Sequence, residues 1–303
     1  MTQHATHALA VEARGLLTSE QVQAFDRDGY LVLRQRIDGD LLRRLQDASQ
    51  RWMAAGVAGG AAPGSDFLFA NRSGGQTLWR VDYLHDKGEA ASLELLGSRA
   101  VLGIAESLAG TDFVPTYESM VLKAAGDGAP VPWHQDAVHG RRHRLFNIDV
   151  YLDDSRSGAG ALHVIPGSQL ERSDACALAE TYAWDVPGAV EVVLDAGDVL
   201  VHDDMVVHGS PPATGNALRR TIYLEFRAAR SILEDGPWTP EWMAARLRLL
   251  PLALAERARW VGADDRYDWR LSPELRPVVS DDHEAELRVV HTAHTPGEWC
   301  SAG

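Results

Sequence analysis

Between residues 117 and 226 the chain is cut into short β-rich runs, and this division narrows the possible folds more than any other feature. The runs cover 117–124, 147–152, 161–165, 190–194, 199–202, 205–208 and 221–226, with Gly, Pro and Asp turns between them. A parallel sheet needs a long crossover, usually helical, between successive strands. No helix is legible between these. Such a succession indicates an all-β barrel or sandwich, and a double-sheet jelly roll fits best. Its interior is wide enough for a small ligand, and alternate residues of each strand line it.

Helices flank this region. Thr18, Ser19, Glu20 and Gln21 make a capping-box start, which predicts a helix to about Asp28 that stops at Gly29. A short strand follows over 30–34. Residues 38–55 form an amphipathic helix with Leu41, Leu42, Leu45 and Ala48 on one face. The Gly-, Ala-, Ser- and Pro-rich stretch 56–75 reads as a loop, either a lid or a passive insertion. Residues 78–84 are a strand or an irregular wall, and 90–108 are helical, ending at Gly110. Beyond Ser231, Thr239 caps a helix that has Pro240 at its first position. It runs to about Leu249, breaks at Pro251 and continues over 252–260. Residues 277–303 are acidic and end in a tail. The expected organisation is a flexible arm over 1–17, one domain over 18–230 with its jelly-roll core from about 115, and a helical extension over 231–303 packing on that core. The fold class is mainly β with flanking helices.

The 303 residues carry a formal net charge of −14. That argues against nucleic acid or an anionic membrane surface as a partner. No apolar run approaches the roughly 18–20 residues that span a bilayer. Residues 1–15 lack the basic start and apolar core of a signal peptide, so a cytoplasmic address is expected. Two cysteines, Cys176 and Cys300, make no disulfide framework. Reduced thiols are expected, with a single bridge as the alternative. The expected partner is a small-molecule substrate, and the expected state is a monomer or homodimer.

The stretch Trp133-His134-Gln135-Asp136-Ala137 places an imidazole and a carboxylate two residues apart. In extended chain, residues i and i+2 share a face, so His134 and Asp136 can aim at one point. They supply two members of the 2-His-1-carboxylate facial triad that holds Fe(II) and leaves positions open. An HxD pair alone recurs by chance; the constellation carries the argument. His208, in Val207-His208-Gly209-Ser210, offers a second imidazole far downstream. Arg219 stands one strand beyond it. Arg supplies a bidentate fork for a carboxylate and Ser210 adds a hydroxyl. A dicarboxylate that chelates the metal at one end and meets Arg at the other is 2-oxoglutarate chemistry.

These segments resemble the phytanoyl-CoA dioxygenase family. The resemblance lies in 133–137, in Asn147 to Asp154, in Gly160 to Ser168, in Gly197-Asp198-Val199-Leu200, and in His208-Gly209-Ser210 to Arg219-Arg220. Phe25 and Asp28 to Val32 are similar to that family's opening. The resemblance covers 18–227. It implies a double-stranded β-helix (cupin-like) core and an oxygenase that uses Fe(II), 2-oxoglutarate and O2. It makes His134, Asp136 and His208 the iron ligands. Arg219 would bind the distal carboxylate of 2-oxoglutarate with help from Ser210; Arg220 is the rival. Arg80 stands where the family suggests a basic residue reaching the cosubstrate pocket, and a surface salt bridge reads equally well. Asp149 departs from the pattern, because many relatives carry an aromatic there.

Other candidates have modest roles. His202 and Asp203 suit a strand end or a place beside the ligands. His139, His143, Arg141, Arg142 and Arg144 form a solvated basic loop or a substrate-facing wall. Residues 165–168 make a rim turn, and Trp79 and Tyr117 pack as apolar bodies or line a pocket. Among family members that halogenate, the carboxylate is replaced by a small residue, so Asp136 implies hydroxylation, with desaturation, cyclisation or epoxidation as alternatives. The Ala- and Arg-rich, Lys-poor composition suggests a bacterial source and secondary metabolism. The substrate could be a free amino acid, a peptide-derived scaffold, a polyketide or terpenoid, or an acyl thioester. A non-catalytic jelly-roll binding module and a zinc hydrolase remain as other classes.

Overall fold

The computed structural model describes residues 15–280, apart from 63, 73, 124–128, 138–141, 214–217 and 236–237, together with 282, 286 and 287. His139, Arg141, Cys300 and most of the arm and tail lie outside the described residues.

Two antiparallel sheets face each other. The elements in chain order are α1 (Ser19–Asp28), β1 (Tyr30–Leu33), α2 (Gly39–Gly59), β2 (Phe67–Arg72), β3 (Gly75–Asp82), α3 (Ala90–Leu96) and α4 (Arg99–Ala109). Then come β4 (Phe113–Lys123), β5 (Val131–His134), β6 (Leu145–Tyr151), β7 (Leu162–Val164), α5 (Ala175–Tyr182), β8 (Val190–Val192), β9 (Val199–Asp203), β10 (His208–Ser210) and β11 (Arg219–Ala228). The chain continues through α6 (Ala229–Asp235), α7 (Pro240–Leu247) and α8 (Leu249–Arg257). The large sheet has the order β1-β9-β6-β11-β4-β3-β2, and the small one β5-β10-β7-β8. This is the expected jelly-roll core with flanking helices.

Alternation along the strands makes two cores. Ile148, Val150, Val199, Val201, Ile222 and Leu224 turn toward the helices and join Leu41, Leu45, Val101 and Ile104. Tyr151 and Leu200 turn the other way and meet Leu162, Val164, Val192 and Leu194 between the sheets. A one-residue slip would exchange these sets. Caps fix where the helices begin. Thr18 and Gln21 form a reciprocal capping box, and Gly29 closes α1 in the left-handed region at φ 77°. Asp38 accepts from the Leu41 N–H to start α2.

Several expectations are corrected. The stretch 56–75 is not a loop: α2 runs on to Gly59, and β2 and β3 form a hairpin at the edge of the large sheet. Phe67 and Leu78 pack over Gly56, where a Cβ would stand 2.7 Å from the Phe67 ring, so burial outweighs the local Gly and Ala content. His134 closes a short strand, β5, that the sequence reading did not mark, in the small sheet. Residues 203–206 form a turn, in which Asp203 accepts from the Met205 N–H, and the following strand starts at His208 rather than at 205. A helix, α5, interrupts the strands; Asp174 caps it by accepting from the Ala177 N–H. The 90–108 helix is two helices broken at Gly97. Pro251 sits in the first turn of α8, where a missing N–H costs nothing, and the break falls at Arg248. Cys176 is disulfide-bonded rather than a reduced thiol.

Helices α7 and α8 pack into the helix-side core through Met243, Leu247, Leu249, Leu250 and Ala253. Arg257 ties α8 to Glu94 of α3 at 2.6 Å and to Asp38 at 3.0 Å. Among the described residues no helix is long and apolar enough to cross a membrane. The α3–α8 approach is so close that a Cβ on Gly97 would fall 2.2 Å from the Ala253 carbonyl oxygen. Backbone cannot yield as a side chain does. Gly97→Ala should therefore cost roughly 2–3 kcal/mol, the upper range for overpacking, read as a lower denaturation midpoint.

Candidate active site

The site grows out of one cross-strand pair. His208, first in β10, is the Cα partner of His134, last in β5. Such partners project to one face, and the two rings lie 4.2 Å apart between centroids. Asp136 turns back to the same point. Its Oδ1 is 3.2 Å from His134 Nε2, and its Oδ2 is 3.7 Å from His208 Nε2. One donor atom from each of the three lies within 4.8 Å of the others. Gln135 points the opposite way and anchors the turn. Its Nε2 donates to the Met205 and Glu171 carbonyls, and its Oε1 accepts from the Ser173 N–H.

Backbone carbonyls orient both imidazoles. His134 Nδ1 is 2.7 Å from the Pro132 carbonyl, and His208 Nδ1 is 2.9 Å from that of Val206. A carbonyl only accepts, so each Nδ1 carries a proton and each Nε2 is left to face the cluster. Burial and the neighbouring His134 push His208 down to about 3, so it is neutral. Burial would raise the Asp136 carboxyl, but the surrounding imidazoles outweigh it and hold the group well below the usual carboxylate range.

A buried clamp stands behind Asp136. His202 on β9 lies with Nε2 3.3 Å from Asp136 Oδ2 and Nδ1 2.9 Å from Asp149 Oδ2. His202 and Asp149 are fully buried. Burial alone would keep the ring neutral, yet Asp149 and Asp136 outweigh it and raise His202 well above its ordinary value, so both nitrogens donate. The Asn147 amide donates to Asp204 at 3.0 Å and reaches Asp136 at 3.5 Å. Asp149 thus acquires a partner on the neighbouring strand. Sequence reasoning flagged Asp149 without its role and missed Asn147 and Asp204. The usable signal was the acid on β6 together with His202 on β9.

Consecutive arginines on β11 go to opposite faces. Arg220 is committed on the helix side, with Nε 2.8 Å and Nη2 2.6 Å from the Asp153 carboxylate and Nη1 2.8 Å from Ser49 Oγ. Arg219 points between the sheets and is buried. It donates to the Gly160 carbonyl, to which Ser210 Oγ also donates at 2.7 Å. Among the described residues no carboxylate lies within ion-pairing distance of Arg219. A buried guanidinium without a counter-ion calls for an anion. The buried Thr221 hydroxyl on the same face has no hydrogen-bond partner among them either. Two imidazoles and one carboxylate match the Fe(II) facial-triad donor set, and Arg219 with Thr221 fits a bound carboxylate. Lys123, another cation missed in the sequence, closes the pocket by donating to the Pro211 carbonyl at 2.7 Å.

Arg80 lies on β3, bonded to Asp82 and Tyr117. The basic loop is tied outward instead: Arg144 to Asp26 at 2.7 Å, His143 to Glu234 at 2.8 Å and Arg142 to Asp235 at 3.7 Å. Trp133 packs on the far side of the small sheet against Trp184, with ring centroids 5.2 Å apart.

A two-sheet core that gathers such donors on its inner face defines the class of mononuclear non-haem iron oxygenases that use 2-oxoglutarate. The family model for phytanoyl-CoA dioxygenase (PhyH) matches residues 25–221, and the chain belongs to that family. It is 26% identical over 222 residues to dioxygenase lolE1 of Epichloe uncinata, covering 71% of this chain and 84% of that one. It is 24% identical over 229 residues to the "Probable alpha-ketoglutarate-dependent hypophosphite dioxygenase" of Stutzerimonas stutzeri, covering 70% and 79%. The crystal structure of AviO1 from Streptomyces viridochromogenes Tue57 superposes with a TM-score of 0.61 at 29% identity, covering 74% of this chain and 99% of that one. The chain is an Fe(II)/2-oxoglutarate-dependent oxygenase that uses Fe(II), 2-oxoglutarate and O2.

The His202 clamp has a measurable consequence. His202→Ala should weaken Fe(II) binding roughly 10–100-fold, as loss of a partner that orients a ligand does. His202→Gln, which keeps one donor toward Asp136, should recover part of it. Anaerobic metal titration checks both.

Proposed function

We propose that His134, Asp136 and His208 hold the iron and that Arg219, assisted by Ser210, holds the distal carboxylate of 2-oxoglutarate. On this reading the enzyme oxidises, most simply hydroxylates, an unactivated C–H bond of a small organic molecule and releases succinate and carbon dioxide. The single observation that carries it is the convergence of His134 Nε2, Asp136 and His208 Nε2 on one point, with Arg219 uncompensated on the same interior face. Retention of Asp136 favours hydroxylation over halogenation. The Ala- and Arg-rich, Lys-poor composition supports a place in bacterial secondary metabolism.

The bound iron and its cosubstrate supply the oxidising power that C–H cleavage needs. The chain supplies orientation. Pro132 and Val206 carbonyls fix the tautomers of the two imidazoles, and His202 steers the Asp136 oxygens. Arg219 sets how far the cosubstrate reaches, because its own position is fixed by the Gly160 carbonyl and the register of β11. The apolar contacts of Tyr151, Leu162, Val164 and Leu200 exclude water from one end of the interior, which strengthens every charge interaction there.

The test is an anaerobic titration of the apo-protein with Fe(II) and then 2-oxoglutarate, followed by visible spectroscopy. A weak charge-transfer band is expected. His208→Ala should abolish both the band and succinate formation. Arg219→Ala should raise the 2-oxoglutarate midpoint at least about tenfold, the worth of one charge-assisted pair. Arg220→Ala should leave that midpoint unchanged and lower stability by roughly 3 kcal/mol, since it strands Asp153. A band that survives intact in His208→Ala would overturn the assignment.

A further inference from the structure

Arg80 shares the inner face of the large sheet with Arg219. In the large sheet Arg80 pairs with Val121 and Val121 with Thr221; Asp82 pairs with Ser119 and Ser119 with Tyr223. In-register partners share a face. Arg80 and Asp82 therefore project to the same side as Arg219 and Tyr223, two strands away and so roughly 10 Å across the sheet from β11. The small sheet ends at β5, while the large one continues through β4 to β3 and β2. Its inner face thus runs on past the iron site, and Arg80 stands on that overhang.

The guanidinium is held at one edge and open at the other. Its Nε donates to Asp82 Oδ1 at 2.7 Å, and its Nη2 donates to the Tyr117 hydroxyl. That hydroxyl donates in turn to Asp82 Oδ1 at 2.5 Å. The Tyr117 ring lies 5.2 Å from Arg80 Cζ and Trp79 lies 5.8 Å away. Nη1 makes no hydrogen bond to any described residue, and the Arg80 side chain keeps 23% of its exposure. Among the described residues Asp82 is the one carboxylate within ion-pairing distance of it. The result is a rigid donor edge presented to an open interior surface. An apolar scaffold lying there would strip water from Nη1 and return nothing.

We propose that Arg80 anchors an oxyanion, a carboxylate or a phosphate, on the primary substrate, so that the enzyme takes a small anionic molecule rather than an apolar polyketide or terpenoid. This rests on the iron-site reading above and moves Arg80 from cosubstrate to substrate. Tyr117 and Trp79 flank the anion, and Asp82 fixes the fork.

The experiment is calorimetric titration of the anaerobic Fe(II) enzyme, saturated with 2-oxoglutarate so that the Arg219 site is filled. The probes are benzoate, phenyl phosphate and benzamide, which share a ring and differ in charge. At least one acid should bind about tenfold or more tighter than benzamide, and the tighter acid names the class. Arg80→Gln should remove that preference while the charge-transfer band keeps its 2-oxoglutarate midpoint. Asp82→Asn, which unmasks the guanidinium, should tighten the acid, a gain that mere structural support does not produce. Equal binding of acid and amide, an unchanged preference in Arg80→Gln, or a raised 2-oxoglutarate midpoint in that variant overturns the proposal. Calorimetry reads the anion without the band, so a missing band would count against the iron assignment alone.

Discussion

The pairing of β5 with β10 is the interaction on which the rest depends. Two three- to four-residue strands bring residues far apart in sequence to opposite positions on one ladder. The ladder sets the spacing of His134 and His208, and backbone carbonyls set their tautomers. Neither strand could stand alone in water at that length. Trp133, Val207, Ala175 and Val186 weld them from behind, and Gln135 locks the turn that returns Asp136. The donor set is thus a product of backbone register, and the side chains around it exist to keep that register.

Charge burial is the second theme. The interior between the sheets holds Asp136, Asp149, His202, Asp204 and Arg219, each nearly inaccessible or facing the cavity. Such groups are costly unless each meets a partner. His202 satisfies Asp136 and Asp149 at once, and Asn147 serves Asp204 and reaches Asp136. Burial and the nearby Glu225 and Asp136 raise the Asp204 carboxyl well above its ordinary range. Arg219 donates to a backbone carbonyl, but among the described residues no carboxylate lies within ion-pairing distance of it, which suits the place to an anion.

The sequence was most legible where chemistry repeats locally. Thr18 with Gln21 and Thr239 with Pro240 announce helix starts because caps are short-range. His134, Asp136 and His208 stand out because their residue types suit one task, and it is the family resemblance that favours Arg219 over Arg220. What could not be read depended on contacts across the fold. The Gly- and Ala-rich stretch after Ala55 looks like a loop until Phe67 and Leu78 are seen packing on Gly56. The clamp of Asp149 by His202 needs the β6–β9 register, and Pro251 reads as a breaker until the preceding helix is known to end at Arg248. The Cys176 bridge likewise has no local signature.

The two arginines of β11 also bear on how this enzyme can change. One holds Asp153 and Ser49 on the helix side, and the other lies buried between the sheets against the Gly160 carbonyl. An insertion, deletion or slip in this strand would move both at once, losing a structural anchor in the same step as the proposed cosubstrate group. Evolution is therefore barred from retuning the pocket by shifting β11. Novelty can enter at the edge hairpin of β2 and β3, on the face opposite the one that packs Phe67 and Leu78 on Gly56. That hairpin is the place to diversify in a library that seeks new substrates.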